Sequence, residues 1–143
     1  MNVQSILDTK GGDVMSIAPT ATLQNAVHRL AEHRIGALLV LGPDHRVVGI
    51  VSERDIVRVL AERGPGVLSE PLSTVMTRTV VTCTRSDTIG DIMERMTKGK
   101  FRHVPVLDQD RVIGVVSIGD VVKLRLREME DESSALRDYI QTA

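Results

Sequence analysis

Two short stretches of the chain have the residue types and spacing to hold an anion and a pair of vicinal hydroxyls. They are Gly49-Ile50-Val51-Ser52-Glu53-Arg54-Asp55 and Gly114-Val115-Val116-Ser117-Ile118-Gly119-Asp120, and both read Gly-apolar-apolar-Ser-x-x-Asp. In each, a strand-like apolar run gives way to a helical pattern at the serine. A serine hydroxyl and the free N–H groups of a helix's first turn suit a phosphate. A carboxylate three residues on can accept two hydrogen bonds from ribose hydroxyls, as an acidic residue does in the dinucleotide-binding fold on another scaffold. The leading glycine lets another group approach the backbone closely. Ser-x-x-Asp is also the spacing of a capping box, in which Ser52 and Asp55 satisfy orphan N–H groups without any ligand. Spacing alone leaves both readings open.

The two stretches belong to a longer duplication. Residues 14–41 align with 80–107 at a constant offset, and residues 44–61 align with 109–126 after the loss of one residue in a turn. Seven of the 18 pairs in the second block are identical, against about one in twenty for unrelated segments, which marks an internal repeat. Leu23, Ala26, Val27, Leu30 and Ala31 form one face of a helix, and Ile89, Ile92, Met93 and Met96 repeat it. Thr22 and Thr88 stand ahead of these helices as N-caps, with Thr88-x-x-Asp91 a capping box. Apolar runs follow at Ala37–Leu41 and Val47–Val51 around a Gly42-Pro43-Asp44-His45 turn, and at His103–Leu107 and Val112–Val116 around Asp108-Gln109-Asp110. With a first strand in each copy, near Val14–Ile17 and Val80–Cys83, the unit is β-α-β-β-α. Each unit has too little apolar surface to stand alone, so the two are expected to pack sheet to sheet in one α+β domain with a pseudo-two-fold axis. The expected boundaries are 1–66 for the first repeat with its lead-in, 67–130 for the second, and 131–143 for a helical tail.

Composition narrows the partners. The net charge of −1 leaves no electrostatic footprint for nucleic acid or an anionic membrane, and Phe101 and Tyr139 are the only aromatic residues, too few for base stacking. Cys83 is the only cysteine, so neither an intrachain disulfide nor a multi-cysteine zinc site can form; an inert, half-buried thiol on a strand is expected. His28, His33 and His45 lack metal-ligand spacing. Residues 1–10 do not read as a signal peptide and no apolar run approaches a membrane span, so the expected address is cytoplasmic. There is no Walker loop and no paired Ser/His/Asp arrangement, so no enzyme and no catalytic cofactor are expected. Arg127–Glu132 reads as a solvated helical stretch. Beyond it Leu136, Tyr139 and Ile140 recur at i, i+3, i+4, a face for docking on the chain's own body or on a partner.

A tandem pair in which each copy closes on Gly-apolar-apolar-Ser-x-x-Asp resembles the cystathionine-β-synthase (CBS) domain pair, or Bateman module. The likeness runs from about Val14 to Leu126 and includes Ile35-Gly36-Ala37-Leu38-Leu39-Val40, Ser52-Glu53-Arg54-Asp55-Ile56-Val57 and Arg102-His103-Val104-Pro105-Val106. The resemblance implies a cleft between the repeats for an adenosine-containing ligand such as AMP, ADP, ATP, NAD(H) or S-adenosylmethionine. It places Asp55 and Asp120 on ribose hydroxyls and Ser52 and Ser117 facing phosphate. Val14, Met15, Ser16 and Ile17, with Val81 and Thr82 in the second copy, would line adenine pockets together with Gly36-Ala37 and His103-Val104-Pro105. Arg54 is replaced by Gly119 in the second copy, and Gly36-Ala37 by Arg102-His103, so Arg54, Arg102 and His103 are the expected phosphate contacts and the two sites unequal. The implied function is a regulatory adenine-nucleotide sensor of energy or redox state, a homodimer acting on a protein effector in trans. The alternative is a dimerisation or partner-binding scaffold whose clefts take no physiological ligand.

Overall fold

The computed structural model describes residues 1–142. Its elements are α1 (Val3–Lys10), β1 (Ser16–Ile17), α2 (Leu23–His33), β2 (Ala37–Leu41), β3 (Val47–Ser52), α3 (Glu53–Arg63), α4 (Leu72–Val75), α5 (Ile89–Gly99), β4 (His103–Asp108), β5 (Arg111–Ser117) and α6 (Ile118–Thr142). In the first repeat the Thr22 hydroxyl accepts from the Asn25 N–H while the Asn25 side chain returns to the Thr22 N–H, which starts α2. Its apolar face then buries Leu23, Ala26 and Leu30, and Arg34 ends it in the left-handed region at φ 54°. β2 and β3 pair antiparallel, with Val40 opposite Gly49, and β1 pairs parallel to β2, with Ser16 opposite Leu39. Alternate side chains of β2 and β3 (Leu38, Val40, Val51) enter a core completed by Ile56 and Val59 of α3.

The second repeat repeats this order with one loss. The expected strand at Val80–Cys83 is reduced to a parallel bridge between Cys83 and Val106. Pro105 is the reason. It stands where the first repeat has Leu39, whose N–H donates to the Met15 carbonyl at 3.3 Å. Proline has no N–H for the matching Val81 carbonyl, so only the bonds at Cys83 remain, from its N–H to the Pro105 carbonyl at 3.0 Å and from the Leu107 N–H to its own carbonyl at 2.8 Å. Val81 is correspondingly exposed.

Each repeat is finished by a short helix that precedes the other repeat in the chain. The Val3 and Gln4 N–H groups bond the Asp87 and Arg85 carbonyls of the second repeat, and the Leu72 and Ser73 N–H groups bond the Ala21 and Pro19 carbonyls of the first. Ala21 and Asp87 are equivalent positions, as are Pro19 and Arg85. Val3 and Ile6 of α1 are buried with Cys83, Ile89, Ile92 and Val104, while Leu72 and Met76 are buried with Leu23, Leu38 and Val51. The segment ahead of the first repeat therefore covers the second. The exchange explains the leading glycine of each motif. A Cβ on Gly49 would lie 2.5 Å from the Met76 sulfur, and one on Gly114 would lie 2.5 Å from a Leu7 methyl. The group that approaches the backbone at these glycines is the crossing segment. The fold is α+β, two β-α-β-β-α repeats about a pseudo-two-fold, with the two sheets facing one another across a cleft. No helix among the described residues is long and apolar enough to cross a membrane.

Candidate functional site

The cleft between the sheets has a volume of about 300 Å³. Met15, Gly36, Ala37 and Ile50 give it an apolar wall from the first repeat, and Val115 adds one from the second. His103 and Ser117 supply polar groups from the second repeat, and Lys10 and Asp13 complete the lining. Gly36 keeps the passage open, since a Cβ there would sit 3.7 Å from the His103 ring and 4.0 Å from the Glu53 carboxylate. Burial holds the His103 imidazole below its usual range, and the neighbouring Lys10 charge adds to the effect. It is therefore neutral at pH 7, with one ring N–H to donate and one nitrogen to accept.

Both Ser-x-x-Asp motifs form capping boxes. Asp55 Oδ2 accepts from the Ser52 N–H at 3.1 Å and from its hydroxyl at 2.9 Å, while the Asp55 N–H returns to the hydroxyl at 3.2 Å. Its other oxygen pairs with Arg58 at 3.3 Å. Asp120 Oδ2 accepts from the Ser117 N–H at 2.9 Å, and the Asp120 N–H bonds the Ser117 hydroxyl at 3.2 Å. Here the third partner is Lys10, whose Nζ lies 2.8 Å from Asp120 Oδ2 and 2.9 Å from the Val115 carbonyl oxygen. Burial pushes the Asp120 carboxyl up, but the bonds from Lys10 and from Ser117 outweigh it and hold the group below the usual carboxylate range. Oδ1 accepts no hydrogen bond among the described residues, so Asp120 keeps one open acceptor.

Lys10 is the cleft residue that motif reading missed. It reaches the site because α1 ends there: Gly11, at φ 88°, returns its N–H to the Leu7 carbonyl and turns the chain toward β1. The signal was present as Val3, Ile6 and Leu7 at helical spacing ahead of Gly11-Gly12.

Of the residues expected in the site, the structure gathers Met15, Gly36, Ala37, His103 and Ser117 around one cleft, with Asp120 joined to it through Lys10. Val14 is half-buried beside it, the Ser16 carbonyl accepts from Arg29, and Ile17 lies in the core. Arg54 and Arg102 are exposed and do not line this cleft. In the second copy Thr82 offers its carbonyl to Arg95 at 3.4 Å, and Pro105 is buried with its carbonyl bound to Cys83. Cys83 is fully rather than half buried, and burial, helped by the Asp87 charge, pushes its thiol up to about 12, so it is no nucleophile. The nearby Asp87–Arg95 pair, at 2.9 Å, ties the turn before α5 to that helix.

Comparisons with known proteins agree with this geometry. The family model for the CBS domain matches twice, over residues 3–62 and 72–127, and each match opens at one of the crossing helices. The chain is similar to the CBS-domain containing protein ATU1752 from Agrobacterium tumefaciens, at 44% identity and a TM-score of 0.83, covering 87% of this chain and 92% of that one. It is also similar to the CBS domain protein PAE2072 from Pyrobaculum aerophilum, solved complexed with AMP, at 29% identity and a TM-score of 0.74, covering 84% of this chain and 89% of that one. The CBS domain pair of protein MJ0100, solved with 5′-methylthioadenosine and S-adenosyl-L-methionine, matches at 25% identity and a TM-score of 0.78, covering 90% and 98%. With an antiparallel strand pair in each repeat, two crossing helices and two matches to the family model, the chain belongs to the CBS-domain family as a tandem pair.

Proposed function

We propose that the chain is a regulatory module that takes an adenine nucleotide (AMP, ADP, ATP or NAD(H)) into the cleft between its repeats and, as a homodimer, passes the occupancy to a protein effector in trans. The observation that carries this reading is the cleft itself. Its volume lies at the lower end of small-molecule sites. Its wall is apolar, as a purine face requires, and its rim holds a serine at a helix N-terminus and a lysine that joins the cleft to the Asp120 carboxylate behind it. That rim matches the chemistry of a ribose phosphate. The complexes of PAE2072 with AMP and of MJ0100 with two adenosine derivatives support the ligand class. In this proposal Asp120 and Ser117 hold ribose and phosphate at one site, and Asp55, Ser52 and Arg54 form the second with Arg102, the two being unequal in affinity. The test is direct. A native preparation, denatured and filtered, is expected to release an adenine nucleotide identifiable by mass spectrometry, and AMP, ATP or NADH is expected to raise the melting temperature. Absence of both effects would favour the scaffold reading, for which the complete capping boxes are the structural support.

Lys10 makes a sharper expectation. Its ammonium holds Asp120 Oδ2, so a ribose that seeks both carboxylate oxygens must compete with it for one of them, while a phosphate gains from it. Lys10→Met is expected to tighten adenosine binding a few-fold, within the roughly 1 kcal/mol of a half-exposed ion pair, and to shrink the advantage of AMP over adenosine. Calorimetric titration with both ligands measures this, and an unchanged AMP-to-adenosine ratio would remove Lys10 from the site.

A further inference from the structure

α6 runs unbroken from Ile118 to Thr142, so the last helix of the second repeat and the C-terminal tail are one element. Its first turns are fixed to the body through buried Val121 and Leu124 and half-buried Glu128. From Met129 to Gln141 every residue is exposed, so Leu136 and Ile140 do not dock on the chain's own body. A helical segment of that length is marginal in water without a partner.

The exposed apolar residues are not scattered. Val122, Leu126, Met129, Ser133, Leu136 and Ile140 recur at spacings of four, three, four, three and four, which is the a/d seam of a coiled coil. The apolar members from Leu126 onward are between 51% and 64% exposed. The residues that hold α6 to the body occupy c and f positions, so the seam faces away from it. The flanks name the occupant. With Leu126 and Ser133 at a, the charged g positions are Arg125 and Glu132 and the charged e positions are Lys123, Glu130 and Arg137. In a parallel, in-register pair of identical helices, g of one chain meets the next e of the other. Arg125 then faces Glu130, and Glu132 faces Arg137, each pair occurring twice. The antiparallel pair with full overlap sets Glu130 against Glu130, Glu132 against Glu132 and Lys123 against Arg137, all repulsive. An antiparallel pair shifted by one heptad restores Glu130 to Arg137 but leaves Val122 and Leu126 outside the seam.

We infer that the exposed face of α6 is an interface between two copies of this chain, joined as a short parallel coiled coil through Leu126, Met129, Leu136 and Ile140. The inference specifies the contact surface of the homodimer and does not depend on the nucleotide; its test is run without ligand. Ser133→Cys is expected to form a disulfide-linked dimer under mild oxidation, because an a-position residue meets its own copy only in a parallel, in-register pair. Asp131→Cys, at an outward f position, is expected to stay at the monomer position on the same non-reducing gel. Buried Cys83 gives no cross-link in either background. Adding Glu130→Arg to Ser133→Cys is expected to suppress the cross-link, and adding Arg125→Glu to that double variant to restore it. No dimer from Ser133→Cys, or equal cross-linking by Asp131→Cys, overturns the parallel seam; indifference to Glu130→Arg overturns the charge pairing that selects it.

Discussion

Gly49→Ala is expected to destabilise the protein by about 2 kcal/mol, in the range for overpacking a filled core, and Gly114→Ala by clearly less. The two glycines head equivalent motifs, yet their surroundings differ. A Cβ on Gly49 would meet the Met76 sulfur at 2.5 Å, its Cγ at 2.8 Å and the Thr77 carbonyl oxygen at 3.0 Å. Thr77 cannot retreat, because its N–H and carbonyl both pair with Ile50, at 3.0 and 2.9 Å. A Cβ on Gly114 would meet only the end of the Leu7 side chain at 2.5 Å, with the next atoms 3.8 Å or more away. A change of Leu7 rotamer relieves that contact. Urea denaturation of the two variants, at unchanged m-value, measures the difference. Equal losses would mean that the crossing segments do not set the requirement for glycine.

Asp120→Asn is expected to weaken nucleotide binding by about ten- to a hundredfold, the range for losing hydrogen bonds to a charged acceptor, while leaving the helix start intact. The reason for choosing asparagine lies in α2. Asn25 occupies the same position of its capping box and accepts from the Thr22 N–H at 3.0 Å, so an amide there maintains the cap. In Asp120→Asn the amide oxygen stays committed to the Ser117 N–H and the amino group turns toward the ligand, where ribose needs an acceptor. The ion pair with Lys10 is lost too, but both partners are partly exposed, so its contribution to stability is at most about 1 kcal/mol. That loss follows a sign. The Asp120 carboxyl lies below its unfolded value, so the pair stabilises the fold at neutral pH and the contribution disappears as pH falls through the carboxylate range. Calorimetry on Asp120→Asn and Asp55→Asn, with melting temperatures as the control for folding, separates the two sites. An Asp120→Asn protein that binds as wild type would exclude this carboxylate from ligand recognition.

Much of this protein is legible in its sequence. The duplication, the order of elements within each copy and the family all follow from local patterns. Apolar spacing at Leu23, Ala26 and Leu30 and alternation in the strands report which face of an element is buried. Thr22, Thr88, Ser52 and Ser117 announce helix starts because an N-cap is satisfied within four residues. The ladder lost at Pro105 was equally local, since the missing N–H is a property of one residue; its consequence at Val81 needed the register of Leu39 and Met15 to be known.

What the sequence could not decide were contacts between segments far apart in the chain. That α1 would cover the second repeat and α4 the first, and that Met76 and Leu7 would claim the space at Gly49 and Gly114, depends on how the two units are placed. Lys10 and Asp120 are 110 positions apart and meet only because of that exchange. Likewise the same Ser-x-x-Asp spacing serves one carboxylate bound to Arg58 on its own helix and another bound to a lysine from the opposite end of the chain. Caps and amphipathic faces are fixed by neighbours within a turn or two, so they are written locally. The polarity of a cleft is set by whichever side chains packing brings to its rim, and no local pattern carries that information.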